Sequence, residues 1–133
     1  MKLTILGCSG SVPTADNPAS GYVVSFDNAP SIILDMGSGT LGQLAQLQDP
    51  CDAHVAFSHL HADHCADFPS LMVWRRFHPT APAASRNFCF GPSATPTHLG
   101  RLSSDEVNGI DDMSDTLAFS PWVAGERLSL IHI

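Results

Sequence analysis

Ser58-His59-Leu60-His61-Ala62-Asp63-His64 puts three imidazoles and one carboxylate within six positions. Imidazole nitrogen and carboxylate oxygen are donors that zinc takes from proteins, and a catalytic zinc site keeps one position for water. In an extended or looped segment, residues two apart project to the same side, so His59 and His61 can converge on one ion. Asp63 and His64 are adjacent and would turn toward a second ion as the chain runs into a helix. Two cations about 3.5 to 4 Å apart can stabilise the attacking and leaving oxygens of a displacement. The spacing is therefore that of a dinuclear hydrolytic centre, and Asp63 could also hold or relay a proton there. Single histidines are more often satisfied structural side chains, and His54, His78 and His98 are read that way.

The elements that must position this cluster are short. Lys2 to Leu6 is a first strand, closed by Gly7, and Cys8 to Thr14 is a Gly/Ser/Pro loop without the lysine of a phosphate-binding P-loop. Tyr22–Phe26 and Ser31–Asp35 read as a hairpin joined by Asp27-Asn28-Ala29-Pro30. Leu41, Leu44 and Leu47 recur every three residues, as on an amphipathic helix that ends before Asp49-Pro50. Ala53–Phe57 is apolar enough for an interior strand, and its end delivers the chain into the histidine cluster. A helix is expected from an N-cap at Asp67 to about Phe77, a strand over Asn87–Gly91, a helix over 93–102 weakened by Pro96, and a strand over Thr116–Trp122. The sequence predicts a layered α/β domain with a mixed sheet.

Composition narrows the partners. The 133 residues are 44% hydrophobic, enough for one domain with a core, and no apolar run approaches the length of a membrane span. A formal charge of −7 speaks against a surface that grips long nucleic acid through phosphates. Cysteines 8, 51, 65 and 89 lack paired spacing, and with no signal peptide in view they fit a reducing cytoplasm. Arg75 and Arg76 could steer a phosphate, although cations at a helix C-terminus also suit the dipole. The five carboxylates between 105 and 115 lack Ca-loop spacing and read as a solvated loop.

Ser58 with His59-Leu60-His61-Ala62-Asp63-His64 resembles the signature of the metallo-β-lactamase-fold metallohydrolases. Leu6 to Thr14 and Leu34-Asp35-Met36-Gly37-Ser38-Gly39 resemble the ribonuclease Z-like branch of that superfamily. Ser9 to Val12, Pro18 to Tyr22 and Val73 to Pro79 are similar to its actinobacterial cyclic-nucleotide phosphodiesterases, and Gly91-Pro92-Ser93 and Ile110 to Asp115 extend the likeness to about residue 122. The resemblance implies an αββα sandwich, of which this chain would hold the N-terminal half, with the metals at the sheet edge. It implies His59 and His61 on the first of two divalent ions and Asp63 and His64 on the second, with Asp35 bracing the loop. Zinc is the first choice, and Mn and Fe stay open. Ala62, where ribonuclease Z sequences carry Gly, lowers tRNA processing relative to a small phosphodiester substrate. A ribonuclease Z-type endonuclease is the runner-up, and an inactive fragment is the non-catalytic alternative. A homodimer is left open.

In the family further ligands follow well downstream, whereas after His78 the remaining histidines are His98 and His132, and neither lies in a matching context. Leu128-Ser129-Leu130-Ile131-His132-Ile133 reads as the translation of a transposase end used in preparing sequencing libraries. The expectation is one domain portion over 1–127 and a non-native tail over 128–133.

Overall fold

Val23, Ile33, Val55 and Cys89 stand side by side across four neighbouring strands, and burying that row sets the layers. A computed structural model describes residues 1–127, so the expected tail at 128–133, with His132, lies outside the described residues. The strands are β1 (Lys2–Gly7), β2 (Gly21–Phe26), β3 (Ala29–Met36), β4 (Ala53–Ala56), β5 (Asn87–Gly91) and β6 (Leu117–Pro121). They form one sheet in sequence order, antiparallel through β1–β2–β3 and parallel from β3 to β6. The first hairpin turns on Asp27-Asn28 alone, since Phe26 pairs with Ala29; Ala29 and Pro30, expected in the turn, begin β3.

Each parallel step needs a crossover, and helices supply them. Helix α1 (Thr40–Leu47) links β3 to β4, α2 (Ala62–Cys65) and α3 (Phe68–Phe77) link β4 to β5, and α4 (Thr95–Ser103) links β5 to β6. Leu44, Phe68, Leu71, Met72 and Leu99 from these helices share one core with Leu6, Val23, Ile33, Val55, Cys89 and Leu117. The helices therefore lie on one side of the sheet. On the other side run Leu3, Val24 and Ile32, then Ile5, Tyr22 and Leu34, with Leu3 and Ile5 each 61% exposed. This is a mixed α/β layer whose second, apolar face carries no helix among the described residues. Among the described residues no helix is long and apolar enough to cross a membrane.

Asp67 does sit at the N-cap position of α3, but its side chain makes no bond to that helix. Its Oδ2 accepts instead from the backbone N–H of Leu41, at 2.8 Å, in the first turn of α1. That helix begins at Gly39, in the left-handed region at φ 89°, with no cap of its own. An anionic acceptor at a helix N-terminus suits both the orphan N–H groups and the dipole, so Asp67 ties the segment after the histidine cluster to the segment after β3.

Arg75 is 2% exposed, and its guanidinium is spent inside the protein. Nε donates to Thr116 Oγ1 at 2.6 Å, and Nη2 donates to Asn87 Oδ1 at 2.9 Å, the Thr116 carbonyl at 2.9 Å and the Ser85 carbonyl at 3.1 Å. These partners lie where β5 and β6 begin, at the end of the sheet opposite the histidine cluster. Arg76 pairs there with Asp111 at 2.6 Å and Asp115 at 2.8 Å, and holds the Asp115 carboxyl below the usual carboxylate range. Both arginines staple the N-terminal ends of the parallel strands, which favours the structural reading of the pair over phosphate steering. The Arg76 pairs correct the reading of 105–115 as a solvated loop.

His54 is 1% exposed and its Nδ1 accepts from the backbone N–H of Phe88 at 3.1 Å, which requires the neutral ring. Burial first, and the Arg75 charge second, lower its pKa from the ordinary histidine value.

Two tests follow from this packing. Arg75→Met orphans several buried acceptors at about 1–3 kcal/mol each, so urea unfolding should show a loss of about 3 kcal/mol or more; a loss below about 1 kcal/mol would contradict the staple. For His54 the folded pKa is lowered. Its stabilising contribution is therefore complete above the unfolded value of about 6.5 and is lost as pH falls toward the lower folded value. His54→Asn, whose amide oxygen can accept from Phe88, should flatten the fall in melting temperature between pH 7 and 5 relative to the parent; an unchanged slope would count against it.

Candidate metal centre

The end of β4 and the end of β3 are neighbours, because the two strands run parallel with Leu34 opposite Ala56. The two strands therefore finish at the same rim: Asp35 lies within the last residues of β3, and Ser58 with the histidines follows β4. Asp35 is 6% exposed and has a φ of 59°, a left-handed conformation uncommon for any residue except glycine and tolerated best by Asn and Asp. The conformation turns its carboxylate across to the β4 loop. One oxygen accepts from the Ser58 backbone N–H at 2.8 Å; the other accepts from Ser58 Oγ at 2.6 Å and pairs with His64 Nδ1 at 2.8 Å.

These bonds decide which nitrogens are free. An ionised carboxylate can only accept, so His64 Nδ1 is the donor, and when the ring is neutral Nε2 carries the lone pair. The Ser58 hydroxyl proton goes to Asp35, so Ser58 Oγ accepts from His59 Nδ1, 3.0 Å away, and His59 Nε2 is likewise left as a lone pair. One carboxylate, acting partly through a hydroxyl, sets two histidines in the tautomer that ligates through Nε2. Asp35 was expected to brace this loop. The part played by Ser58 was missed, though a hydroxyl beside the first histidine and close to an acid was a readable signal.

The structure places His59, His61, Asp63 and His64 together. The His59 ring centroid lies 3.9 Å from that of His64 and 4.8 Å from that of His61, and Asp63 Oδ2 is 3.3 Å from His64 Nε2. The chain enters α2 with His61 at its N-cap position, so a short helix precedes the one expected from Asp67. The side chains rest on each other rather than around a common centre, and among the described residues no three His, Cys, Asp or Glu form a group ready to hold an ion. The donor chemistry nevertheless fits a divalent cation. A lone-pair nitrogen facing a carboxylate oxygen is repulsive unless a proton or a cation lies between them, and His64 and Asp63 present that pair.

Two close approaches hold the rim. The Asp63 carbonyl accepts from Ser20 N–H at 3.2 Å, and the Ser20 carbonyl accepts from Gly37 N–H at 2.9 Å. A Cβ on Gly37 would collide with the Asp63 carbonyl, so only glycine lets these backbones touch.

No protein-family model matches the chain. An uncharacterized protein of Mycobacterium leprae is 48% identical over 130 residues, covering 98% of this chain and 45% of that protein. Among solved structures, the metallo-β-lactamase fold protein YhfI of Bacillus subtilis superposes with a TM-score of 0.73 at 21% identity, over 96% of this chain and 48% of its own. The short form of human tRNase Z gives a TM-score of 0.65 at 21% identity, over 91% of this chain and 44% of its own. The chain spans about half the length of the proteins it matches.

Outer partners of metal-ligating histidines are worth about 10–100-fold in metal affinity. Asp35→Asn, which tolerates the same backbone conformation, should weaken Zn²⁺ binding by about that much in calorimetric titration, and Ser58→Ala by about the lower figure. Affinities equal to the parent's would show that the Asp35 network does not serve the cluster.

Proposed function

We propose that this chain, which has the metallo-β-lactamase fold, supplies four ligands of a dinuclear metal centre in a phosphodiester hydrolase whose substrate is a cyclic nucleotide. The observation that carries it is His64 Nε2 held 3.3 Å from Asp63 Oδ2 while Asp35 engages the other ring nitrogen. His59 and His61 would hold one ion and Asp63 and His64 the other. Zinc is the first choice from nitrogen and carboxylate donors, with Mn and Fe as alternatives. When bound, such ions polarise a phosphoryl oxygen and make water acidic enough to attack at neutral pH. Asp63 could hold or pass on the proton released there, and Asp35, partly through Ser58, would aim the His59 and His64 rings toward the ions.

A small substrate is supported by the charge distribution. Arg75 is buried, and Arg76 is paired at the opposite end of the sheet, so neither offers a phosphate track at the rim of the kind that long RNA needs. The likeness to human tRNase Z favours a tRNA 3′-processing endonuclease as the second reading. Residues 1–133 alone present part of a two-ion site and are expected to retain metal weakly and turn nothing over.

The test is an assay on a chain of its relatives' length. Metal-loaded protein should open 3′,5′-cyclic AMP, lose the activity on chelation, and lose it again as His61→Ala while still folding. Cleavage of a precursor tRNA without action on cyclic AMP would replace this reading with the second. Tight stoichiometric zinc and turnover in residues 1–133 by themselves would refute the partial-site expectation.

A further inference from the structure

Trp122 directly follows β6 and is 44% exposed, yet it is held on three sides. Its backbone N–H donates to the Gly91 carbonyl at 2.8 Å, and its indole Nε1–H donates to the Phe57 carbonyl at 2.7 Å. Its ring stacks on Phe90 with centroids 5.7 Å apart and planes 22° apart. Behind Phe90 the column continues: Phe88 stacks on it at 5.6 Å and 16°, and the His54 ring meets Phe88 edge-on at 5.6 Å. The indole's polar handle and one of its faces are thus both used. The residue's surface nevertheless stays 44% exposed among the described residues.

The position of that surface gives it meaning. Phe57, the indole's anchor, comes two residues before His59, at most about 7 Å of extended chain. Ser58 lies between them and is bonded to Asp35 and His59. The anchored indole is therefore tied to the chain two residues before the donor cluster. The sheet's other exposed apolar side chains, such as Leu3 and Ile5, are aliphatic and lie out on the β1 edge. Rigid exposed aromatic faces are stacking platforms for planar heterocycles, and such stacking tolerates any base because every base has a π face.

The geometry points to Trp122 as the residue that receives the nucleobase of the substrate, by stacking on the indole face that Phe90 leaves free. This rests on the cyclic-nucleotide reading and adds to it a specificity-determining contact outside the metal ligands. The flat base lies on Trp122 while the phosphodiester reaches the cluster, so substrates without an aromatic base lose that contact.

The test uses the 133-residue chain with ¹⁵N-labelled tryptophan and chelator present, so that metal binding plays no part. The two indole N–H signals, from Trp74 and Trp122, are assigned with W74F and W122F. Adenosine should move the Trp122 signal saturably and leave that of Trp74 in place, and ribose 5-phosphate should move neither. By saturation transfer, W122L should weaken adenosine binding roughly tenfold, and W122F, which keeps an aromatic face, should stay closer to the parent. An immobile Trp122 signal, equal movement of both signals, or an equal response to ribose 5-phosphate would overturn the assignment. Should W122L fail to fold, the parent titration and W122F decide it. Failure here leaves cyclic AMP hydrolysis untouched, whereas an indole shift without hydrolysis keeps the platform and removes the proposed substrate.

Discussion

The Asp35 carboxylate accepts from a backbone amide, a hydroxyl and an imidazole, all from the stretch that follows β4. Remove it and the loop loses the contacts that aim it. The strand pairing brings the two segments to one rim, but pairing alone leaves the histidine rings free to rotate and to choose either tautomer. A buried anion with two acceptor oxygens closes both freedoms. It can do so because its backbone adopts a left-handed turn, which most side chains resist. Backbone strain and ligand orientation are here the same feature seen from two sides.

A second set of bonds makes this hub rigid. Asp67 accepts from the first turn of α1, and the Ser20, Gly37 and Asp63 backbones touch. The end of the cluster and the segment after it are thereby pinned beside the turn that follows β3. All three contacts join residues far apart in sequence, so the loop owes little of its shape to its own local preferences.

That distinction explains what could be read in advance. The cluster was legible because chemistry at fixed spacing is a local property, and so were the strands and most helices, which follow two- and threefold periodicities. The helix after Pro96 formed as α4 despite its proline, which lies in the first turn, where no backbone donor is needed. Less legible was everything decided by a distant partner. Asp67 has the type and place of an N-cap, yet its carboxylate serves another helix. Arg75 and Arg76 look like phosphate contacts until Thr116, Asn87, Asp111 and Asp115 are folded against them. Trp122 reads as one more apolar residue at a strand end, and only its bond to the Phe57 carbonyl places it beside the cluster.

The two arginines and the histidines sit at opposite ends of the parallel strands. Buried cation contacts are concentrated where β5 and β6 begin, and the histidine–aspartate cluster lies where β3 and β4 finish. Such a separation lets lineages vary the reactive rim while the fastening at the far end stays as it is. New substrates can then be tried by mutation without each trial also being a trial of foldability. A protein arranged this way is suited to divergence, because the residues that confer specificity are largely not the ones that keep the chain in shape.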